Sequence, residues 1–277
     1  MKKTVCFLCF SVFVLSLYAQ ADEPPCSVNE ATLIGCGRYK IKNTYLSAIK
    51  YDGWGIDVLN ERTKLIRPRI SRQQTLHLDL STVNHPAGTS RAYAGFIDYA
   101  YGLHYHFRPT PELKILAGGS AGAMFGFVYN MQNGNNPAAL HVDLDMRLSA
   151  AVIYTFRLHH SSLTVRYQTD IPVVGMLFSP HYGQSYYEIF GVGNSDGVIQ
   201  CSSLHNKWAL RNYLTVDLPV GNWTVRLGYL NDLYQTKVNG IQTDYVSHSF
   251  MVGMVKELIS LSGKHLRKTH LYQSAYY

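Results

Sequence analysis

The chain has 277 residues, with 25 Lys and Arg against 18 Asp and Glu, a formal net charge of +7, and 16% charged side chains. Charge that sparse lies well under the ~25% typical of soluble domains. The mild basic surplus, whose only dense run is Lys264 to His270, argues against a nucleic-acid partner.

Residues 1–21 read as a secretory signal. Lys2 and Lys3 give a positive start, Val5 to Leu17 is apolar, and Ala19-Gln20-Ala21 is a cleavage site. Cleavage there begins the mature chain at Asp22 and leaves Cys26, Cys36 and Cys201. An odd, sparse set is no disulfide framework. A Cys26–Cys36 pair is compatible with an oxidising periplasm, but three unpaired cysteines are the favoured reading. Cys9 lies too early, and Cys26 too close behind Pro24-Pro25, for a lipid anchor. Beyond the signal no run approaches the ~18 apolar residues of a membrane helix.

Period two recurs along the mature chain, the mark of strands with two unlike faces. Ala31 to Ile41 reads as a first strand, and Trp54, Ile56 and Val58 mark a second. Leu76, Leu78 and Leu80 alternate with His77, Asp79 and Ser81. Tyr93 to Phe107 sets Tyr93, Ile97, Tyr99, Tyr101, Leu103, Tyr105 and Phe107 against Asp98, His104 and His106. Leu113 to Tyr129 carries Leu113, Ile115, Phe125, Phe127 and Tyr129 on one face.

The clearest case is 140–158. Its even positions run Leu140, Val142, Leu144, Met146, Leu148, Ala150, Val152, Tyr154, Phe156 and Leu158, while the odd ones include His141, Asp143, Asp145 and Arg147. Strands of soluble domains usually have about 5–6 residues, whereas a tilted membrane strand needs about 9–11. A basic residue facing lipid at the midplane costs about 2–4 kcal/mol. The even face is therefore expected to meet lipid, and the odd face to line a lumen.

Leu163, Val165, Tyr167 and Ile171 alternate with Arg166, Gln168 and Asp170. Trp208, Leu210, Leu214, Val216 and Leu218 alternate with Arg211, Thr215 and Asp217. Trp223, Val225, Leu227 and Tyr229 alternate with Thr224 and Arg226, and Val246, Phe250, Val252 and Met254 belong to a last strand.

The connections alternate in length. Asn84 to Thr89, Met131 to Pro137 and Pro172 to Asn206 are long; Pro109 to Glu112, His159 to Ser161 and Pro219 to Asn222 are tight turns. Outer-membrane barrels have short periplasmic turns and longer outer loops. The expected fold is all-β: a transmembrane antiparallel up-and-down β-barrel of about ten strands, filling one domain over 22–277, with its N-terminus in the periplasm. Twelve strands follow if Pro172 to Asn206 holds a hairpin. A soluble β-sandwich would alternate too, but the strand lengths and strand-end aromatics (Phe125, Phe127, Tyr129, Tyr154, Phe156, Trp208, Trp223) favour the barrel.

The expected lumen face collects Asp98, His104, His106, His141, Asp143, Asp145, Arg147, Arg166, Asp170, Arg211, Asp217, Arg226 and Asp232. Small barrels fill their interiors with side chains, and buried charges need partners, so a satisfied ion-pair network is the first reading. A binding or catalytic pocket is the second. His248 and Ser249 on the last strand are a lesser candidate for lipid hydrolysis, lacking a third, orienting group. Asp143-x-Asp145 and His104-x-His106 each offer only two ligands, so no metal site is assigned. The segment 172–194 is rich in glycine and aromatics and too apolar for disorder. It is expected to be a plug in the lumen or a cap over the mouth, presenting Tyr182, Ser185, Tyr186, Tyr187 and Glu188, or else an added hairpin.

Several motifs carry a family resemblance. They are Gly35-Cys36-Gly37 with Asn43-Thr44-Tyr45-Leu46-Ser47; Pro172-x-x-Gly175-x-x-Phe178-x-Pro180-x-Tyr182-Gly183-x-Ser185-Tyr186-Tyr187-Glu188-x-Phe190; Leu210 to Leu214; Arg226-x-Gly228-Tyr229; Asn239-Gly240; and Ser247-His248-x-Phe250-x-x-Gly253. The chain resembles a family of Gram-negative outer-membrane proteins known only as a domain of unknown function and widespread in the Bacteroidetes. The resemblance implies export and a β-barrel, and brings no activity or catalytic residues with it. The tail from Ile259 departs from the family ending. The expected role is non-enzymatic binding, surface or structural work in the outer membrane. A narrow transport pore and an outer-membrane lipid hydrolase are the alternatives. Expected partners are outer-membrane lipid and a small-molecule or surface ligand, with no cofactor, and the barrel is expected to be a monomer.

Overall fold

The computed structural model describes residues 27–134, 136–157, 162–220, 223–259 and Tyr276. The expected signal, Cys26, the His159-His160 turn and most of the tail lie outside these residues. In chain order the elements are β1 (Ser27–Asn43), β2 (Ser47–Arg67), β3 (Ile70–Asn84), β4 (Arg91–Phe107), β5 (Leu113–Asn130), β6 (Ala138–Arg157), β7 (Ser162–Phe178), the short helix α1 (Tyr186–Phe190), β8 (Ile199–Ser203), β9 (Lys207–Val220), β10 (Trp223–Val238) and β11 (Ile241–Ile259).

Ten long strands close into an antiparallel barrel. Neighbours in sequence pair with one another, β1 closes on β11, and β7 pairs with both β6 and β9. β8 adds no wall strand: it pairs only with the end of β7, from Val174 to Phe178. The 172–206 stretch therefore contains the end of β7, a helix-bearing loop and this short strand, and the twelve-strand alternative falls. Cys36 and Cys201 are free thiols.

Closure requires strands to tilt and the register to stagger. From Arg38 the pairing runs through Trp54, Thr82, Tyr93 and Tyr129 to Ala138. In the other direction it runs through His248, Asn231, Asn212 and Thr169 to Ala150. The two arrivals on β6 differ by 150 − 138 = 12 residues. For ten strands this stagger corresponds to a tilt of about 40°.

The two faces are inverted relative to a soluble domain. Leu144, Met146 and Leu148 are 54%, 55% and 59% exposed, while Asp143, Asp145 and Arg147 between them are at most 9% exposed. The charges point into the lumen, and the apolar residues face out. This arrangement excludes the sandwich, whose apolar face would be interior.

Local chemistry explains the joints. Asn239 and Gly240 both have positive φ, 52° and 77°, as the two-residue type I′ hairpin between β10 and β11 demands. β7 carries a bulge, because Met146 faces Val174 while Arg147 faces Pro172. Proline lacks the N–H of a regular ladder and is tolerated at such breaks. The bulge also shifts the inward phase of β7 from even to odd positions. At the end of the barrel carrying α1, the first and last connections are as tight as the turns at the opposite end, so the length alternation holds only for the middle of the chain.

Candidate functional site

The lumen is layered, and a glycine-rich stretch of β5 makes room for it. On β5 a Cβ at Gly122 would lie 2.3–2.5 Å from the guanidinium of Arg147. Glycine is the residue that lets this arginine lie flat against the wall. Arg147 reaches both carboxylate oxygens of Asp98 at 2.9 and 2.6 Å, and Asp145 at 2.6 Å. Arg211 bonds to Asp98 at 2.7 Å and to Asp232 at 2.6 and 3.1 Å. This layer of two arginines and their acids joins β4, β6, β9 and β10 and forms a floor across the barrel.

Below the floor side chains fill most of the lumen, leaving a cavity of about 30 Å³ among Glu61, Gln73, His104, Gln168 and Tyr213. Arg226 holds Asp217 in a two-pronged bond at 2.6 and 2.7 Å and reaches Glu61 at 3.1 Å. Arg166 also bonds Glu61 and Gln168, and Gln73 donates to Glu61 at 2.7 Å. Tyr276 enters this layer from the tail. Its ring lies 4.3 Å from the Arg226 guanidinium carbon, its hydroxyl meets Thr215 at 2.9 Å, and Lys114 donates to its carbonyl at 3.2 Å. Leu116, Ala151 and Ile153 pack around it.

Above the floor a cavity of about 80 Å³ for solvent centres remains. Six carboxylates line it (Asp79, Asp98, Asp143, Asp145, Asp170, Asp232), against the three fixed cations Arg147, Lys207 and Arg211. With all six carboxylates ionised and His77 and His141 both protonated, the lining would carry one net negative charge. Lys207 bonds Asp143 and Asp145, yet the second oxygen of the buried Asp143 has no partner among the described residues. Asp79 accepts a hydrogen bond from the Tyr245 hydroxyl at 2.9 Å, its one side-chain partner among the described residues. Phe96, Tyr234 and Tyr245 supply aromatic walls. A smaller cavity of about 20 Å³ nearer the mouth shares His141, Tyr234 and Thr243 with the chamber.

The loop from β7 to β8 covers the mouth. Ser185 caps α1 in a reciprocal capping box with Glu188. The Tyr186 hydroxyl accepts the Leu140 N–H at 2.6 Å, and its ring stacks with Phe178 and Phe190. The Tyr45 hydroxyl donates to the Gln184 carbonyl at 2.8 Å. Burial, with Tyr186 and Glu188 nearby, pushes that hydroxyl up to about 12. Asn239 ties the loop to the β10–β11 turn through the carbonyls of Ser179 and Gly197. Tyr182 and Tyr187 stay 69% and 75% exposed. Residues 172–178 complete β7 as barrel wall, and residues 179–194 form the loop over the mouth, so the segment neither plugs the lumen nor adds a wall hairpin.

The residues expected on the lumen face fall into these layers. Asp98, Asp145, Arg147, Arg211 and Asp232 form the floor, Asp143 stands above it, and Arg166, Asp217 and Arg226 lie below. Asp170 meets Gln168 at 3.1 Å, His104 meets Ser149 at 2.8 Å, His106 meets Ser71 at 2.7 Å, and His141 meets Asn43 at 3.1 Å. Sequence reading missed Glu61, Asp57, Asp79 and Lys207 as network members. Asp57 and Glu61 share an inward phase with Leu59 and Thr63, a signal that was available on β2.

The Ser–His candidate is corrected. Ser249 faces the lumen, fully buried, while His248 faces outward against Tyr229 at 2.7 Å. Adjacent strand residues point to opposite faces, so the two cannot act as nucleophile and base. Among the described residues no group of three His, Cys, Asp or Glu side chains is placed to hold a metal ion.

A family model described as "Protein of unknown function (DUF3316)" matches residues 4–265. The chain belongs to this family. No curated protein sequence matches it. This DUF3316 barrel is similar to the outer membrane protease OmpT of Escherichia coli, with a TM-score of 0.50 at 9% identity, covering 87% of this chain and 99% of that one. It also aligns with the translocator domain of the autotransporter NalP from Neisseria meningitidis, with a TM-score of 0.43 at 12% identity, covering 91% of this chain and 93% of that one. At such identities the likeness concerns the fold alone: a barrel of the outer-membrane type.

Proposed function

We propose that this protein is a non-enzymatic binding protein of the Gram-negative outer membrane, and that its chamber under the cap takes a small organic cation. Export by a signal cleaved after Ala21 and a cap facing the outside belong to the same reading. The observation that carries it is the charge of the chamber: six carboxylates against three fixed cations, around a cavity with an unpartnered Asp143 oxygen. A protonated amine completes that set, since an ionised buried group without a partner is costly. The rings of Phe96, Tyr234 and Tyr245 suit an ammonium with an apolar body, by the attraction between a cation and a ring face. By solvent volume the chamber has room for about five waters, the scale of a small amine.

A transport pore is less well supported, because Arg166, Glu61, Arg226 and Tyr276 occupy the lumen below the floor. Calorimetry on the folded barrel in detergent tests the reading, with choline and spermidine compared against glycerol and succinate. The amines should bind, the neutral and anionic compounds should not, and Asp79→Asn or Asp143→Asn should weaken the amines at least tenfold. Succinate binding as well as the amines, or no amine binding at millimolar concentration, contradicts it.

A further inference from the structure

Across β9, β10 and β11 one polar row interrupts the apolar outward face of the barrel. Arg38, His248, Asn231, Asn212 and Thr169 sit side by side in register across β1, β11, β10, β9 and β7. Each of the three central members interrupts an apolar outward run: Asn212 lies between Leu210 and Leu214, Asn231 between Tyr229 and Leu233, and His248 between Val246 and Phe250. Polar side chains facing hydrocarbon are costly unless satisfied. Part of the row satisfies itself. Tyr167 and Thr169 donate to Asn212, Asn212 donates to Asn231 at 3.2 Å, and Asn231 donates to the Ser247 carbonyl at 2.9 Å.

The end nearest the cap is different. His248 uses Nδ1 toward Tyr229 and Asn231, and its Nε2 has no partner among the described residues. Arg38 spends only Nε, on Asp52 at 2.7 Å, leaving both terminal nitrogens without a described partner. Lys40, exposed, follows Arg38 on the same outward face. Trp54 stands directly opposite Arg38 in register, 63% exposed. An outward tryptophan marks the headgroup depth of a membrane, so these donors lie where lipid phosphates lie.

We propose that Arg38, His248 and Lys40 form an exterior site for the phosphate of an anionic lipid in the leaflet at the cap end. Arginine presents paired N–H groups that match phosphate oxygens, and lysine adds a point charge. Phe250, Val252 and Cys36 offer an apolar surface beside them for the acyl chains. The site is independent of the chamber: it lies on the opposite face of the wall and involves none of its residues.

Native mass spectrometry of the folded barrel released from detergent tests it, using phosphatidylglycerol, phosphatidylcholine and diacylglycerol as probes. The expected result is about one phosphatidylglycerol retained per barrel, with phosphatidylcholine retained less and diacylglycerol not at all. Arg38→Gln combined with His248→Gln should cut retention at least fivefold, and Arg38→Lys should recover most of it. Lys64→Gln, on the outward face toward the other end of β2, should leave it unchanged. Heat-modifiable gel migration verifies that each variant is folded. Equal retention by the double variant, equal binding of diacylglycerol, or a dimer that buries the row in place of lipid would each overturn the proposal.

Discussion

Gly122→Ala is expected to destabilise the barrel by displacing Arg147 from its seat on β5. The new Cβ would lie 2.3 Å from one terminal nitrogen of Arg147 and 2.4 Å from its guanidinium carbon. A free arginine would swing away at little cost, but this one is pinned by Asp98 and Asp145 and is only 9% exposed. Overpacking costs about 1–3 kcal/mol, and losing the geometry of a buried ion pair adds to it, so a loss of about 2–4 kcal/mol is expected. Urea unfolding in lipid vesicles, followed by tryptophan fluorescence, measures it. Arg147→Met alone should cost about 3–5 kcal/mol by stranding buried acids. The double variant should fall within about 1 kcal/mol of Arg147→Met, because the clash no longer exists. Additive losses, or a Gly122→Ala variant as stable as the parent, would refute the claim that the glycine exists to seat the arginine.

Other outcomes follow from the same geometry. Leu148→Arg places a charge on the lipid face and should cost about 2–4 kcal/mol in the same assay. Tyr186→Phe removes the acceptor of the Leu140 N–H and should speed amide exchange at Leu140 several-fold, consistent with about 1 kcal/mol for one hydrogen bond. Tyr276→Ala removes the ring beside Arg226 and should raise single-channel leakage in planar bilayers, with the floor at Arg147 and Arg211 still limiting it. The raised Tyr45 hydroxyl should keep its bond to Gln184 through pH 10, where an unfolded tyrosine ionises, and lose that stabilisation as pH rises through about 12. Absorbance at the tyrosinate band, compared with Tyr45→Phe, should show the missing step near that value and not near the unfolded one.

The wall of the barrel was legible because period two needs no partner to be seen: Leu140 to Phe156 announces both faces by itself. Layering inside the lumen was not legible, because stagger decides depth. Asp98 and Arg211 meet only after the register of every strand between them is set, and no local pattern carries that number. Lys207 was hidden for a similar reason. It begins a strand after a turn, and its inward phase depends on where β9 resumes after β8. The 172–194 segment reads as one apolar block in sequence, yet residues 172–178 are wall and residues 179–194 are cap, and only the pairing of β7 with β6 out to Phe178 fixes that division. His248 and Ser249 needed no structure to be separated, since strand alternation already assigns them opposite faces.

The central claim is that the chamber under the cap holds a small cation among Asp79, Asp143 and their neighbours. A crystal of the folded barrel soaked in 2-bromoallylamine, whose vinylic bromine thiols do not displace, tests it directly through the anomalous signal of bromine. The account predicts a single strong peak above the Arg147–Arg211 floor, with the amine nitrogen within hydrogen-bonding reach of Asp143 or Asp79, and its loss in Asp79→Asn combined with Asp143→Asn. Bromine absent from an open, solvent-filled chamber at saturating concentration, or bound there equally in the double variant, would contradict it.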